Sequence, residues 1–198
     1  MTANEQNISK LRELFSKVFV PSKDPNGFAI AREFFSSLEK SGDSIDKMKK
    51  ISYSFEKEKK DNNPLFFATT FLFAFEGHYM SGINSIIFLL VCYGHDIFDP
   101  IRNRYAHNMK EIERIDVEIK FKFLEEHGFD YVIKRDCQTI RNKIAHNDFR
   151  LINNSSKIRI AEKEYDIAEM LGSLLDFSGI LMHESAKLVE KLPRIENT

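Results

Sequence analysis

The octapeptide Ile140-Arg141-Asn142-Lys143-Ile144-Ala145-His146-Asn147 brings a guanidinium, an amide and an imidazole close together in the chain. On a helix they would lie within about one and a half turns. These group types suit phosphodiester chemistry. Guanidinium is always charged, and its planar fork matches phosphate oxygens. It can neutralise the charge that builds on a pentacoordinate phosphorus. Imidazole titrates near neutrality and can move a proton. Asn142 can donate to a phosphate oxygen or to a base. Lys143 and Asn147 are further candidates for contacting substrate.

Helical spacing sharpens this. Asn142 and His146 are four apart and share a face. Arg141 and His146 are five apart, about 140° around the axis, which a long arginine stem can bridge. Ile140 and Ile144 point in a third direction, toward a core. His146 falls at the predicted end of its helix, where the negative end of the macrodipole favours the protonated ring. The same groups also have a plainer use. An arginine and a histidine near a helix end can cap carbonyls or bind a neighbouring carboxylate, and spacing alone does not separate the two readings.

A near copy lies upstream, Ile101-Arg102-Asn103-Arg104-Tyr105-Ala106-His107-Asn108, with six of eight positions identical. It has three readings: a second catalytic motif, a source of substrate contacts through Arg102 and His107, or a structural element. Its flanks do not resemble those of the downstream motif. Asp99-Pro100 reads as a capped helix start, so the copy opens a helix where the downstream motif closes one. A structural or substrate-contacting role is favoured.

The elements that must position these groups read as helices. An amphipathic helix covers 7–19 and stops at Pro21, and a turn follows at 24–27. A second helix covers 28–41, and a charged one runs to Lys60. Asn63-Pro64 is a capped start for a helix of about 30 residues, apolar on nearly every face, with bends expected at Gly77 and Gly82. Its polar break, Glu76 to Tyr79, allows a Glu76–His78 proton-transfer pair or a hydrogen-bonded core pair. Gly94 ends it. An amphipathic stretch over 115–126 stops at Gly128. The motif helix is expected over 129–146, then a β-hairpin pairing 149–152 with 157–160. A final helix covers 166–192.

Composition bounds the rest. The 198 residues suit one domain with a sizeable core, and 18 Phe supply apolar area. A formal net charge of -1 argues against electrostatic coating of nucleic acid, though not against a small basic cleft. Two cysteines, Cys92 and Cys137, are too few for a disulfide framework, and no metal-ligand spacing or phosphate-cradling glycine loop is present. No metal or cofactor is expected. The first residues carry no apolar signal-peptide core, and Glu76 and His78 interrupt the apolar run. A cytoplasmic protein off the membrane is expected.

The motif and its setting resemble those of HEPN domains (higher eukaryotes and prokaryotes nucleotide-binding). These all-helical domains carry Arg, four to six residues, then His, often with a polar residue directly after the Arg. Here these are Arg141, Asn142 and His146. The long apolar helix, the motif helix, the hairpin after the His and the long last helix are similar too. The resemblance implies a single all-α HEPN-like bundle over 1–198, with 64–192 as its core and 1–61 as a helical extension it does not cover. Many such domains are metal-independent endoribonucleases that act as toxins or antiviral defence effectors. By that pattern Arg141 and His146 are catalytic with Asn142 in support. RNA is the substrate, the chain is a homodimer lining one cleft, and an antitoxin or defence-system protein is a partner. Other members are noncatalytic modules for nucleotide binding, dimerisation or scaffolding, and that alternative stays open.

Overall fold

The computed structural model describes residues 3–18, 30, 33–35, 46, 49–50, 64–153 and 155–191. The turn expected at 24–27 and the cap expected at Asn63 lie outside them. Of the helices expected over 28–41 and up to Lys60, only residues 30, 33–35, 46 and 49–50 are described, and these are helical. The described chain is mostly helical with two small antiparallel sheets. It divides into two compact units, each built from separated segments.

One unit comprises 40–80 and 134–178 and holds the downstream motif. Its first described helix, α1 (Pro64–Phe73), opens on a proline, whose missing N–H costs nothing at that position. The chain then widens into a π-helical turn, Ala74–Tyr79, which contains Gly77. The bend expected at Gly77 is therefore a change of helix type. The motif lies on α2 (Arg135–Ala145), which packs on α1 and on the π turn. Ile140 and Ile144 are buried, as their spacing requires. The helix is shorter than expected. Asp130–Val132 is a separate 3-10 turn, and the chain is extended at Ile133 before α2 begins.

After α2 come three strands rather than two: β1 (Arg150–Leu151), β2 (Lys157–Ile160) and β3 (Lys163–Asp166), in the order β1-β2-β3. The third strand escaped sequence reading because Lys163-Glu164-Tyr165-Asp166 has no apolar alternation to announce it. It forms by tertiary pairing, with Tyr165 opposite the buried Ile158. Asp166 then caps α3 (Ile167–Glu190), accepting from the Ser156 hydroxyl at 2.8 Å and the Glu169 N–H at 3.3 Å.

The other unit comprises 1–39, 81–133 and 179–198. It contains α4 (Ala3–Val18), the greater part of α5 (Met80–Cys92) and the end of α3. A Cβ at Gly82 would stand 3.2 Å from Leu181 Cβ, so this glycine permits close helix approach. Arg12 of α4 grips the buried Glu184 carboxylate of α3 through two hydrogen bonds, at 2.7 and 3.0 Å. Two short strands, β4 (Ile97–Asp99) and β5 (Arg104–Ala106), form a hairpin. Then come α6 (Met109–Glu113) and α7 (Val117–Glu126). An all-α fold with one hairpin thus becomes a mostly helical fold with a hairpin and a three-stranded meander. No described helix is long and apolar enough to cross a membrane.

Helix ends in the two units share one device. After α5, α7 and α2 the chain takes a left-handed residue: Gly94 (φ 88), Gly128 (φ 79) and Asn147 (φ 56). In each case two N–H groups fold back onto orphan carbonyls: Gly94 on Val91 and His95 on Leu90, Gly128 on Glu125 and Phe129 on Leu124, Asn147 on Ile144 and Asp148 on Lys143. The stops expected at Gly94 and Gly128 are those observed.

Lys120 of α7 is a buried charge, and its Nζ donates to the Glu113 carbonyl at 3.2 Å. Burial pushes its ammonium down from the ordinary 10.5 to about 8. The unfolded chain therefore binds more protons between these values, and stability should rise as pH climbs through that window. The rise has an upper bound on the order of 3 kcal/mol. Lys120→Met should raise the neutral-pH denaturation midpoint and flatten that rise, which urea unfolding at pH 7 to 10.5 would measure.

Candidate functional site

The motif helix is fixed at its start by the π turn. The buried Tyr79 hydroxyl accepts the Lys134 N–H at 2.9 Å, just before α2 begins. The Lys134 ammonium lies over the Phe177 ring, 4.1 Å from its centroid. Burial raises the Tyr79 phenol far above its usual range, so it remains a neutral hydrogen-bonding group. Ile140 and Ile144 then set the rotation of α2, which leaves Arg141, Asn142 and Lys143 half-buried and His146 exposed.

Arg141 is held on two sides. Its Nη2 pairs with Glu76 Oε1 from the π turn. Its Nη1 donates to Asn142 Oδ1 at 2.7 Å. Its Nε is buried and has no hydrogen-bond partner among the described residues. The side chain is 29% exposed, so part of the guanidinium still meets solvent and could meet a ligand. Asn142 spends its oxygen on Arg141, which leaves its amide NH₂ as the group able to donate to a phosphate or a base.

His146 is the C-cap and not a helical residue, with φ -93° and ψ 7°. Its N–H donates to the Asn142 carbonyl at 3.0 Å, and its ring is exposed. The 140° relation expected for Arg141 and His146 on a continuous helix does not apply beyond the last helical residue. Asn147 lies in the left-handed region, where Asn and Gly are favoured. Its observed work is to end α2, while its side chain is exposed.

Lys143 donates to Asp148 Oδ2 at 2.5 Å. That bonded ammonium holds the Asp148 carboxyl below the usual carboxylate range, and the nearby His146 acts in the same direction. The positive charges of Arg141 and Lys143 are therefore balanced by Glu76 and Asp148. The cause is tertiary for Glu76 and local for Asp148, which the helix stop turns back onto its own last turn.

The upstream copy does not start a helix. Asp99 ends β4, Pro100 to Asn103 form the turn, and Asn103 takes φ 49° before β5. The buried Asp99 carboxylate accepts from the N–H groups of Ile101 and Arg102 at 3.0 and 3.2 Å. It also pairs with Arg102 Nη1 at 2.6 Å, and that nitrogen donates to the Arg114 carbonyl at 3.1 Å. An aspartate that organises the turn in this way competes with helix capping, which is why the expected helix start fails. Arg102 is a structural residue of this hairpin. His107 is exposed, and its N–H donates to Glu111 Oε2 at 2.9 Å, while Asn108 caps α6 by accepting the Glu111 N–H at 3.0 Å.

Glu76 was legible as a charge in an apolar run, but sequence reading paired it with His78. The structure buries His78, where desolvation pushes its imidazole down, and gives Glu76 to Arg141. The cysteines are poor nucleophiles, because burial pushes the Cys92 and Cys137 thiols up to about 12 and about 11. No cluster of three His, Cys, Asp or Glu able to hold a metal occurs among the described residues. Comparison with protein-family models, curated proteins and solved structures found no match to this chain.

Asn147 offers a test of its structural role. Asn147→Gly should leave stability unchanged or raise it by up to about 1 kcal/mol, because glycine takes φ 56° without strain. Asn147→Val should cost about 1–2 kcal/mol. Chemical denaturation midpoints of the three proteins measure this. A wild-type midpoint for the valine variant would show that the helix stop is not held by residue 147.

Proposed function

We propose that this chain is a HEPN-type, metal-independent endoribonuclease. Arg141 and His146 act on the reacting phosphate, and Asn142 supports them. The 2'-hydroxyl of RNA attacks the adjacent phosphorus, and the bond to the 5'-oxygen breaks. The products are a 2',3'-cyclic phosphate and a 5'-hydroxyl. The proton leaving the 2'-oxygen is taken by one imidazole, and the 5'-oxygen receives a proton from another. A homodimer with both motifs in one cleft supplies two such rings. Arg141 balances the charge on the phosphorane, and the NH₂ group of Asn142 donates to an equatorial oxygen. Lys143 and Asn147 border the substrate, and RNA contact by His107 is secondary. By the resemblance, the biology is that of a cytoplasmic toxin or phage-defence effector with an antitoxin or defence partner.

The observation that carries this reading is a restrained guanidinium on an anchored helix whose C-cap residue exposes an imidazole. Arg141 is held by Glu76 and Asn142, and the His146 ring faces solvent on a rigid helix stop. Catalytic groups need this kind of fixed presentation.

One observation favours the noncatalytic reading, a HEPN module for nucleotide binding, dimerisation or scaffolding. Both cations of the motif already have carboxylate partners, Glu76 for Arg141 and Asp148 for Lys143. A single assay separates the two. Purified protein is incubated with single-stranded RNA in EDTA, and the ends of the fragments are analysed. Wild type should yield cyclic-phosphate ends, His146→Ala and Arg141→Ala should lose about 100-fold or more in rate, and His107→Ala should retain most of it. Equal cleavage by wild type and His146→Ala would exclude catalysis at this motif. Intact RNA throughout, with saturable nucleotide binding, would establish the binding module. A monomer by light scattering would exclude the shared cleft.

A further inference from the structure

We infer that Glu76 is a positioning residue for Arg141, presented by a π-helical turn whose role is to lock the motif helix in place. The inference deepens the nuclease reading and rests on it for its catalytic consequence, though not for its structural content.

Three observations converge. First, helix α1 is interrupted by six π-helical residues, Ala74–Tyr79, directly beside the motif helix. A π turn is a rare backbone form, frequently found at functional sites. Second, the same turn reaches α2 at two levels. Tyr79 binds the Lys134 N–H at the helix start, and Glu76 binds the Arg141 guanidinium further along. Third, the partners are unequal in exposure. Arg141 is 29% exposed and Glu76 is 45% exposed, so the guanidinium is the more withdrawn partner while water still reaches both.

The chemistry gives this arrangement a direction. Guanidinium presents five N–H donors in a fixed plane. One edge is committed to Glu76 and Asn142, which fixes the plane of the whole group. The remaining Nη donors then keep fixed directions before any substrate binds, so less reorganisation is needed in the transition state. Glu76 also weakens the net attraction for a phosphate anion. Its presence should therefore raise turnover and not binding.

Glu76→Gln and Glu76→Asp test this, with circular dichroism and thermal melting to verify folding. Glutamine removes the charge. Aspartate keeps it but falls one methylene short, so a positional role predicts that both variants fail alike. The first readout is independent of activity: the Arg141 guanidinium Nη–H resonances, assigned by their absence in Arg141→Lys. Wild type should show hindered guanidinium rotation with resolved Nη–H signals, and both Glu76 variants should show averaged ones. The second readout is RNA cleavage, where both variants should lose about 10- to 100-fold in kcat with KM unchanged or lowered. An Arg141 resonance unaltered in Glu76→Gln overturns the proposal. So does an unchanged or increased kcat, which would make the pair idle or a brake. If wild type cleaves no RNA, the nuclease reading fails by itself, and the resonance still decides whether Glu76 orders Arg141.

Discussion

Arg141 cannot lose its proton and is more than two-thirds withdrawn from water, so it needs a fixed anionic partner. Glu76 is that partner, and it comes from a helix separated from Arg141 by 64 intervening residues. The pair therefore constrains several features together. The apolar helix must carry a charge, that charge must face α2, and α2 must keep one rotation about its axis. The π turn satisfies the first two, and the buried Ile140 and Ile144 satisfy the third. The Tyr79 hydroxyl adds a separate hold on the start of α2. The polar groups of the motif are thus fixed by packing beneath them and by one ion pair beside them.

The end of α2 is governed by a different constraint. Its last carbonyls are satisfied by Asn147 and Asp148 once residue 147 enters the left-handed region. This reversal leaves His146 exposed and brings the Asp148 carboxylate to the Lys143 ammonium. One backbone choice thus sets both the exposure of the imidazole and the near-neutral charge around it. The structure offers groups held by specific contacts and not a strong positive field. Any affinity for a phosphate must come from oriented donors more than from long-range attraction.

The two copies of the octapeptide show how far local sequence reaches. Ala-His-Asn begins a helix at 108 and ends one at 147. In the upstream copy Asp99 and Pro100 hold a turn, and Glu111 accepts the His107 N–H just ahead of α6. In the downstream copy no such aspartate precedes the arginine, and Ile140 and Ile144 keep the chain helical until its stop. Arg102 serves a buried aspartate in its own hairpin, whereas Arg141 reaches a partner remote in sequence. Identical side chains therefore take unlike roles, because flanking residues and packing decide which hydrogen bonds are on offer.

The sequence by itself determined the features that depend on nearest neighbours. The helical character, the stops at Gly94 and Gly128, the proline start at Pro64, the buried face of Ile140 and Ile144 and two strands of the meander were all legible there. Each follows from periodicity or from a residue suited to one backbone conformation. Tertiary structure decided the rest. The third strand exists because β2 is there to pair with it. The Asp99 hairpin displaced a helix start that local capping rules favoured equally well. The partner of Arg141 could not be read at all, since an ion pair between remote residues depends on how two helices pack and not on spacing along the chain. The motif named a guanidinium, an amide and an imidazole, and only packing assigned the carboxylate that restrains the first of them.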